Sequence, residues 1–190
     1  MNILTKDEFH VNFDDIKTEI EEGFVFIHPT DTIYGIGCDA TNKAAVRKIR
    51  DIKDRHESPF SIIAPNKEWI LENCHVNEKA KEWVDKLPGA YTLILKLKNK
   101  NAIAPNVNFD LDTIGVRIPN HWFSKEVKNI EKPIVTTSAN KSGEDFMTSL
   151  ENLNSEIRNN INFIIYEGEK HGSPSSIVDL TKEKPVVIRR

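Results

Sequence analysis

The stretch IHPTDTIYGIGCDAT, residues 27–41, follows a short apolar run and decides how the rest of the sequence is interpreted. Pro29 has a fixed φ and no N–H donor, so a strand over residues 24–28 should end there. A tight turn needs about two to five residues, whereas this segment is longer and contains hydroxyls, a carboxylate and a phenol. Ligands of open α/β sheets bind beyond the carboxyl ends of strands, so residues 30–32 are expected at a ligand site. The alternative is a local turn in which these side chains cap the backbone.

Helices and strands alternate over the first half of the chain, and strands dominate the second half. The spacing of apolar residues predicts helices at residues 13–23, 41–54, 67–74, 77–87, 121–130 and 148–160. Strands are predicted at residues 24–28, 60–65, 90–98, 113–119, 133–138, 161–166, 175–180 and 185–190. This order predicts an α/β fold: a single domain, residues 1–190, in which helices flank a mixed sheet.

Composition excludes several classes of protein. The 26 Lys and Arg residues against 29 Asp and Glu residues give a net charge of −3, so no strong field favours nucleic acid or anionic membrane. The cysteines, Cys38 and Cys74, are far apart, and the histidines show no HxxxH or HxH pair, so neither a disulfide framework nor a zinc site is expected. Acidic residues near the start and the absence of a long apolar run predict a cytoplasmic protein that does not enter a membrane.

Lys53 and Arg55, in the sequence IKDRHESPFS at residues 52–61, have one residue between them. If this segment is extended, both side chains point the same way, and the two cations repel unless an anion lies between them. We therefore expect an exposed pair that binds phosphate or carboxylate oxygens. The alternative is a pair of solvated cations near the carboxyl end of a helix.

A second polar cluster follows the apolar residues of the strand at 133–138. Thr136, Ser138 and Asn140 lie in IVTTSANKSGED, where small polar side chains could donate hydrogen bonds to an anion or a nucleotide. The sequence GSPSSIVDL, residues 172–180, again places glycine and hydroxyls, including Ser175, before an apolar run. Repetition of this pattern at several strand ends predicts a polar groove for an anionic ligand.

Thr113 and Arg117 belong to the same predicted strand. They are four residues apart, so both side chains should lie on one face of the sheet. Burial of an arginine among apolar neighbours is costly without a partner. Arg117 is therefore expected to meet an anion or an acidic side chain.

These motifs, taken together and in order, resemble the YrdC/TsaC family of threonylcarbamoyl-AMP synthases, in its short single-domain form. The resemblance extends over residues 24–189, and any one of its motifs alone would be weak. The matching motifs are HPTDTIYGIGCDAT (28–41), IKDRHESPFSIIA (52–64), PGAYTLIL (88–95), TIGVRIP (113–119), TTSANKSG (136–143) and SPSSIVDL (173–180).

The resemblance implies a YrdC-like domain with a twisted mixed sheet and an open ligand groove. It implies a nucleotidyltransferase that makes L-threonylcarbamoyl-AMP from L-threonine, bicarbonate and ATP, with a requirement for Mg²⁺ and release of pyrophosphate. In the family, this product supplies N6-threonylcarbamoyladenosine formation in tRNA, so tRNA and the proteins that transfer the threonylcarbamoyl group are possible partners.

The resemblance also assigns roles to single residues, and it assigns no metal ligands. Lys53 and Arg55 are the cationic pair for the ATP phosphates. The residues expected to bind L-threonine are Thr32, Arg117 for its carboxylate, Thr136 and Ser175. The residues expected to bind the nucleotide are Arg55, Ser58, Thr113, Ser138, Asn140 and Arg189.

Two other functions remain as alternatives. An RNA-binding module is one, although the chain lacks a Lys/Arg-rich stripe with interleaved aromatic residues. A domain that forms a carbamoyl adenylate, as in the HypF hydrogenase-maturation proteins, is the other, although those proteins contain zinc-finger and acylphosphatase parts that this sequence lacks.

Overall fold

A computed structural model describes residues 2–188 of the chain. The strands are β1 (Asn2–Leu4), β2 (Phe26–His28), β3 (Gly35–Gly37), β4 (Ser61–Ile63), β5 (Cys74–His75), β6 (Tyr91–Leu97), β7 (Thr113–Arg117), β8 (Ile134–Ser138), β9 (Phe163–Ile165), β10 (Ser176–Asp179) and β11 (Val186–Ile188). The α-helices are α1 (Lys6–Val11), α2 (Phe13–Glu21), α3 (Lys43–Lys53), α4 (Lys67–Asn73), α5 (Glu78–Asp85), α6 (Pro105–Asn108), α7 (Trp122–Ile130) and α8 (Ser155–Asn160), with a short 3₁₀ helix at Lys100–Ala102.

The strands form a mixed sheet in the order β1-β9-β2-β3-β8-β4-β7-β6-β10-β11, and β5 pairs with β6. Pairing is parallel between β1 and β9, β2 and β9, β4 and β7, and β6 and β10. The central pairs β3–β8, β4–β8 and β6–β7 are antiparallel. The α/β class and the mixed sheet predicted from the sequence are confirmed.

Two apolar clusters pack against this sheet. The larger one includes the buried face of α3, where Val46 and Ile49 are fully buried. The smaller one is rich in aromatic rings and includes Phe9, Phe26 and Phe123. Strands β4 and β8 contribute to both clusters, so the sheet connects them.

The sequence analysis missed β1, α1, β5, α6, the 3₁₀ helix and, most importantly, β3 within the opening stretch. Gly35 and Gly37 give β3 a low intrinsic strand propensity, so no local signal predicts it. Tertiary contacts explain why glycine occupies both positions. A Cβ on Gly35 would lie 2.9 Å from the ring of His28, and one on Gly37 would lie 2.8 Å from the Val135 carbonyl. Only glycines allow the β2–β3–β8 pairing around this buried imidazole.

The helix predicted at residues 148–160 is shorter than expected, because α8 begins only at Ser155. The Oδ1 of Asn152 accepts the backbone N–H groups of Thr148 and Ser149, both at 3.0 Å. An asparagine side chain that satisfies nearby N–H groups competes with helical hydrogen bonding. Asn154 then caps the helix by accepting from Glu156 N and Ile157 N.

Among residues 2–188, no helix has the length and apolar character needed to cross a membrane.

Candidate active site

A cavity lies over one face of the sheet, and its floor is polar. Gly115 of β7 has no side chain, and a Cβ there would lie 2.6 Å from Ser61 Oγ and 3.3 Å from Thr92 Cγ2. Arg117 is two residues further along β7 and therefore on the same face. Thr136 of β8 is the register partner of Ser61. Four neighbouring strands thus supply three hydroxyls and one guanidinium to a single surface.

Loops form much of the wall of this cavity, which has a volume of about 150 Å³ and is open to solvent. Besides the floor residues, the lining consists of Thr30, Ile33, Tyr34, Gly35, Arg55, Pro59, Phe60, Thr137, Ser138, Phe146, Pro174 and Ser175.

Arg117 is buried and forms an ion pair at the floor of the cavity. Its Nη2 lies 2.6 Å from Asp31 Oδ1, and the side chains of the pair are 7% and 11% exposed. Asp31 Oδ2 also accepts the backbone N–H of Asn120 at 2.8 Å. The two hydrogen bonds fix the carboxylate, which in turn fixes the guanidinium. The expected acidic partner of Arg117 is therefore confirmed as Asp31.

The proton on Thr32 can be assigned from its neighbours. Thr30 Oγ1 donates to the Ile33 carbonyl at 2.7 Å, so its single proton is used. The 2.9 Å contact between the hydroxyls of Thr30 and Thr32 therefore has Thr32 as donor. Both Arg117 Nη atoms lie 3.4 Å from Thr32 Oγ1. Thr32 consequently presents only acceptor lone pairs toward Arg117.

Arg50, in α3, organises the loop that follows this helix. Its guanidinium donates to the carbonyls of Asn106 at 2.8 Å, Arg55 at 2.9 Å, and Ser58 and Val107 at 3.0 Å. It is 5% exposed, and burial, with Arg55 adding to the effect, lowers its pKa to about 10. Two of these bonds hold the 54–59 loop at Arg55 and Ser58, and the other two connect α3 to α6.

Aromatic rings complete the surroundings of Arg50. Its guanidinium carbon lies 4.2 Å from the Phe60 ring centroid and 3.9 Å from that of Phe109, which are distances of cation–π contact. Arg55 lies further out, 5.4 Å from the Phe60 ring, and its Nη1 is 3.4 Å from Thr137 Oγ1. Arg55 therefore reaches the cavity from a loop that Arg50 anchors.

Lys53 does not form the exposed pair that the sequence predicts. It ends α3, and Asp54 follows with a left-handed φ of 51°, so the segment is not extended. Lys53 is 2% exposed, and its Nζ donates to the carbonyls of Ser138 at 2.6 Å and Asn140 at 2.5 Å. The expectation of exposure is wrong for Lys53, which supports the end of β8 behind the cavity wall.

The predicted residues fall into two groups by position. Arg55, Arg117, Thr136, Ser138 and Ser175 line the cavity. Thr32 contacts Arg117 at its floor, as described above.

The remaining predicted residues are not brought to the lining. Thr113 begins β7 and is four residues from Arg117, which is about 13 Å along the strand. Although the two side chains share a face of the sheet, Thr113 therefore lies far from Arg117 and the cavity. Ser58 is exposed and contributes its carbonyl to Arg50. The Asn140 amide is engaged by Ser138, Lys53 and Glu144. Arg189 lies outside the described residues.

Several lining residues were missed by the sequence analysis. Ser61 and Thr92 are hydroxyls inside otherwise apolar strands, which is a signal that sequence inspection could have used. Thr92 Oγ1 lies 2.7 Å from Ser175 Oγ, so it connects the floor to the wall. Phe60 and Phe146 add apolar surface, and neither has a local pattern that marks it for a ligand.

The described residues offer no cluster of side chains of the kind that binds Mg²⁺ directly. Residues 2–188 contain no group of three or more His, Cys, Asp or Glu side chains that could hold a metal ion. The lining offers hydroxyls and cations, and the nearby Asp31 carboxylate is engaged by Arg117 and Asn120. Mg²⁺ commonly binds through substrate phosphates and retained waters. These residues therefore fit the ion only as a complex with a phosphate substrate.

The sequence model of the Sua5/YciO/YrdC domain, whose description reads "Telomere recombination", matches residues 18–190. The chain belongs to the Sua5/YciO/YrdC family. The resemblance inferred from the six motifs is thereby confirmed.

Other members of the Sua5/YciO/YrdC family are similar over most of the chain. A Methanocaldococcus jannaschii protein is 36% identical over 189 residues, which cover 98% of this chain and 88% of that protein. The Vibrio campbellii protein named threonylcarbamoyl-AMP synthase is 29% identical over 176 residues, covering 88% of this chain and 94% of its own length. The structure of Pyrococcus abyssi Sua5 complexed with L-threonine aligns with a TM-score of 0.88 at 28% identity, covering 99% of this chain and 56% of that chain.

Proposed function

We propose that this protein synthesises L-threonylcarbamoyl-AMP from L-threonine, bicarbonate and ATP, with release of pyrophosphate. The observation that supports this most directly is the floor of the cavity, where a fixed guanidinium and an acceptor-only hydroxyl lie side by side. A family relative named threonylcarbamoyl-AMP synthase and a solved Sua5 complex with L-threonine favour the same substrate.

The floor suits an amino acid. The Arg117 guanidinium would bind the α-carboxylate of threonine, with Asp31 holding the guanidinium in place. Thr32 can only accept a hydrogen bond, so it would accept one from the hydroxyl of the substrate. Thr136 and Ser175 would complete the threonine subsite, since both line the same cavity.

The opposite side of the cavity suits a nucleotide phosphate chain. Arg55 projects from the loop fixed by Arg50. Ser138 lines the cavity at the end of β8, but its hydroxyl donates to Asn140 Oδ1 and would have to exchange that bond to donate to a phosphate. Lys53 would act indirectly, by holding the carbonyls of Ser138 and Asn140, unless the nucleotide draws its ammonium into the cavity. Mg²⁺, when bound with ATP, would neutralise phosphate charge.

The reaction has a simple balance of bonds. The amine of threonine adds to bicarbonate with loss of water, which gives a carbamate. A carbamate oxygen then attacks the α-phosphorus of ATP, the bond to the β-phosphate oxygen breaks, and pyrophosphate leaves. Such a reaction depends on positioning and charge stabilisation more than on a protein nucleophile. The hydroxyls and cations of the lining are suited to that task.

The decisive experiment is mass spectrometry of products formed from ATP, bicarbonate and L-threonine with Mg²⁺. Threonylcarbamoyl-AMP and pyrophosphate should appear together and should disappear when bicarbonate is left out. Replacement of threonine by valine should abolish most product, because a site built to bond a hydroxyl rejects an analogue without it. Equal product from valine would contradict the assignment of Thr32.

Two further arms of this experiment test the alternatives. Carbamoyl phosphate and ATP in place of threonine and bicarbonate would yield carbamoyl-AMP if the carbamoyl-adenylate alternative holds. A gel shift with tRNA at low salt would support direct RNA binding. We propose a cytoplasmic enzyme that passes its product to proteins that modify tRNA.

A further inference from the structure

Residues 166–175, here called the strap, connect β9 to β10 and lie across the threonine side of the cavity. Pro174 and Ser175 of the strap line the cavity. Gly172 lies so close to the loop after β2 that a Cβ on it would be 2.2 Å from the Thr32 carbonyl oxygen. The position of the strap therefore sets the shape of the space next to Thr32.

Glu167 fastens the strap to the beginning of α7. Its Oε1 accepts from His121 Nε2 at 2.9 Å and from Lys170 Nζ at 2.5 Å. Its Oε2 accepts from Trp122 Nε1 at 2.9 Å. His121 Nδ1 accepts the Phe123 N–H, which leaves the proton of a neutral ring on Nε2, facing Glu167. All three bonds therefore have donor and acceptor correctly matched.

The same segment is also fastened to the loop after β2. Tyr34 OH donates to the Gly168 carbonyl at 2.6 Å and accepts the Glu167 N–H at 3.1 Å. Lys170 Nζ donates to the Thr30 carbonyl at 2.9 Å. Glu167 holds Lys170 in this position, so its carboxylate connects α7, the strap and the loop after β2.

The side chains on the two sides of the strap differ in their exposure to solvent. The side chains of Glu167 and Lys170 are 25% and 15% exposed, whereas those of Glu169 and His171 are 57% and 81% exposed. Burial raises the pKa of the Glu167 carboxyl, but hydrogen bonds from His121, Lys170 and Trp122 outweigh it and lower that pKa to about 2. The carboxylate is thus charged at neutral pH, and it accepts hydrogen bonds from three side chains of the protein.

We propose that Glu167 is a positioning residue for L-threonine, which holds the strap against Thr32 and so closes the threonine subsite. This inference rests on the proposed function for the identity of the substrate. Closure of the strap itself does not depend on it.

The test compares Glu167→Gln with Glu169→Gln, a matched control two residues away on the exposed side. Gln at 167 keeps the size but removes the negative charge and places an amide donor where the native carboxylate has only acceptors. With its NH₂ group in the place of Oε2 the Trp122 bond is lost, and with that group in the place of Oε1 the bonds from His121 and Lys170 are both lost. We expect the KM for threonine to rise about tenfold while the KM for ATP stays within about twofold. Glu169→Gln should change neither constant.

A second readout is trypsin cleavage of the Lys170–His171 bond, followed by mass spectrometry of the peptide that begins at His171. Cleavage should be slow in the native protein and about tenfold faster in Glu167→Gln, with Glu169→Gln matching the native rate. In the native protein, L-threonine should slow cleavage further, and valine should not. This last comparison needs no variant, so it tests closure of the strap over threonine even if Glu167→Gln fails to fold, and equal cleavage rates with threonine and valine would contradict that closure.

The outcomes separate the two proposals. A native protein that makes no threonylcarbamoyl-AMP but shows slow, Glu167-dependent cleavage contradicts the proposed function while leaving strap closure intact. An active enzyme in which Glu167→Gln alters neither the threonine KM nor the cleavage rate overturns the role of Glu167. A parallel rise in both KM values with reduced stability also overturns it, because that result indicates a structural role alone.

Discussion

At the scale of single residues, burial decides what Lys53 does. Its ammonium lies among carbonyl oxygens at the end of β8, where its removal would take a donor from the carbonyls of Ser138 and Asn140, of which the Ser138 carbonyl would keep the Asn140 N–H. A buried polar group left without a partner costs about 1–3 kcal/mol. Lys53 is therefore expected to stabilise the fold, whereas an exposed lysine would contribute little.

Lys53→Met should change the pH dependence of stability. Burial, with Arg55 adding to it, lowers the pKa of Lys53 from 10.5 to about 7. Between these values the unfolded chain holds a proton that the folded chain does not, so the free energy of unfolding rises with pH across this window. The native protein should gain up to about 1.4 kcal/mol per pH unit relative to Lys53→Met between pH 7 and pH 10. Urea unfolding at several pH values measures this, and parallel profiles would contradict it.

Thr32 can be tested by a pair of substitutions that differ only in the hydroxyl. Thr32→Val keeps the shape but removes the acceptor that faces the substrate, whereas Thr32→Ser keeps it. Loss of one such bond should raise the KM for threonine by about 10- to 100-fold in Thr32→Val, and by much less in Thr32→Ser. Steady-state kinetics with threonine varied measures both. Equal effects of the two changes would show that the methyl group, and not the hydroxyl, is recognised.

At the scale of elements, α3 and its following loop act as one unit because Arg50 holds them together. Its fork of donors reaches four carbonyls, and two phenyl rings cover its faces. A lysine has one ammonium on a flexible stem, so it cannot reproduce this geometry.

Arg50→Lys should therefore loosen the loop that presents Arg55. We expect a loss of about 1–3 kcal/mol in the free energy of unfolding and a larger rise in the KM for ATP than in that for threonine. Arg47→Lys, on the exposed face of the same helix, is the matched control and should change neither. A stability loss with unchanged ATP kinetics would limit Arg50 to a structural role.

At the scale of the whole molecule, the two apolar clusters share one sheet, which predicts that residues 1–190 unfold as a single domain. Trp69 and Trp83 pack against the larger cluster and Trp122 against the smaller one. In Trp122→Phe and in the Trp69→Phe/Trp83→Phe double variant, fluorescence should follow the same urea transition as circular dichroism. Separate transitions in either variant would indicate two domains.

Local patterns along the chain were enough to predict the fold class, most of the strands and the family. Apolar periodicity is a local property, and the six motifs occur in a fixed order along the chain. Both can therefore be recognised without knowing which residues are in contact. The hydroxyls and cations needed for an anionic ligand were visible in the same way, and Arg117 was expected to find an acid. Asp31, its partner, is 86 residues away.

Which of those side chains lie together depends on contacts between distant segments. Strand pairing placed Ser61 and Thr92 beside Arg117 and left Thr113 at the other end of β7. A left-handed turn at Asp54 and the carbonyls of residues 138 and 140 turned Lys53 from a surface cation into a buried support. Glu167 contacts His121, which is 46 residues away in the sequence. Side-chain direction depends on strand register and chain reversal, which arise from packing between distant segments and leave no mark in the local sequence.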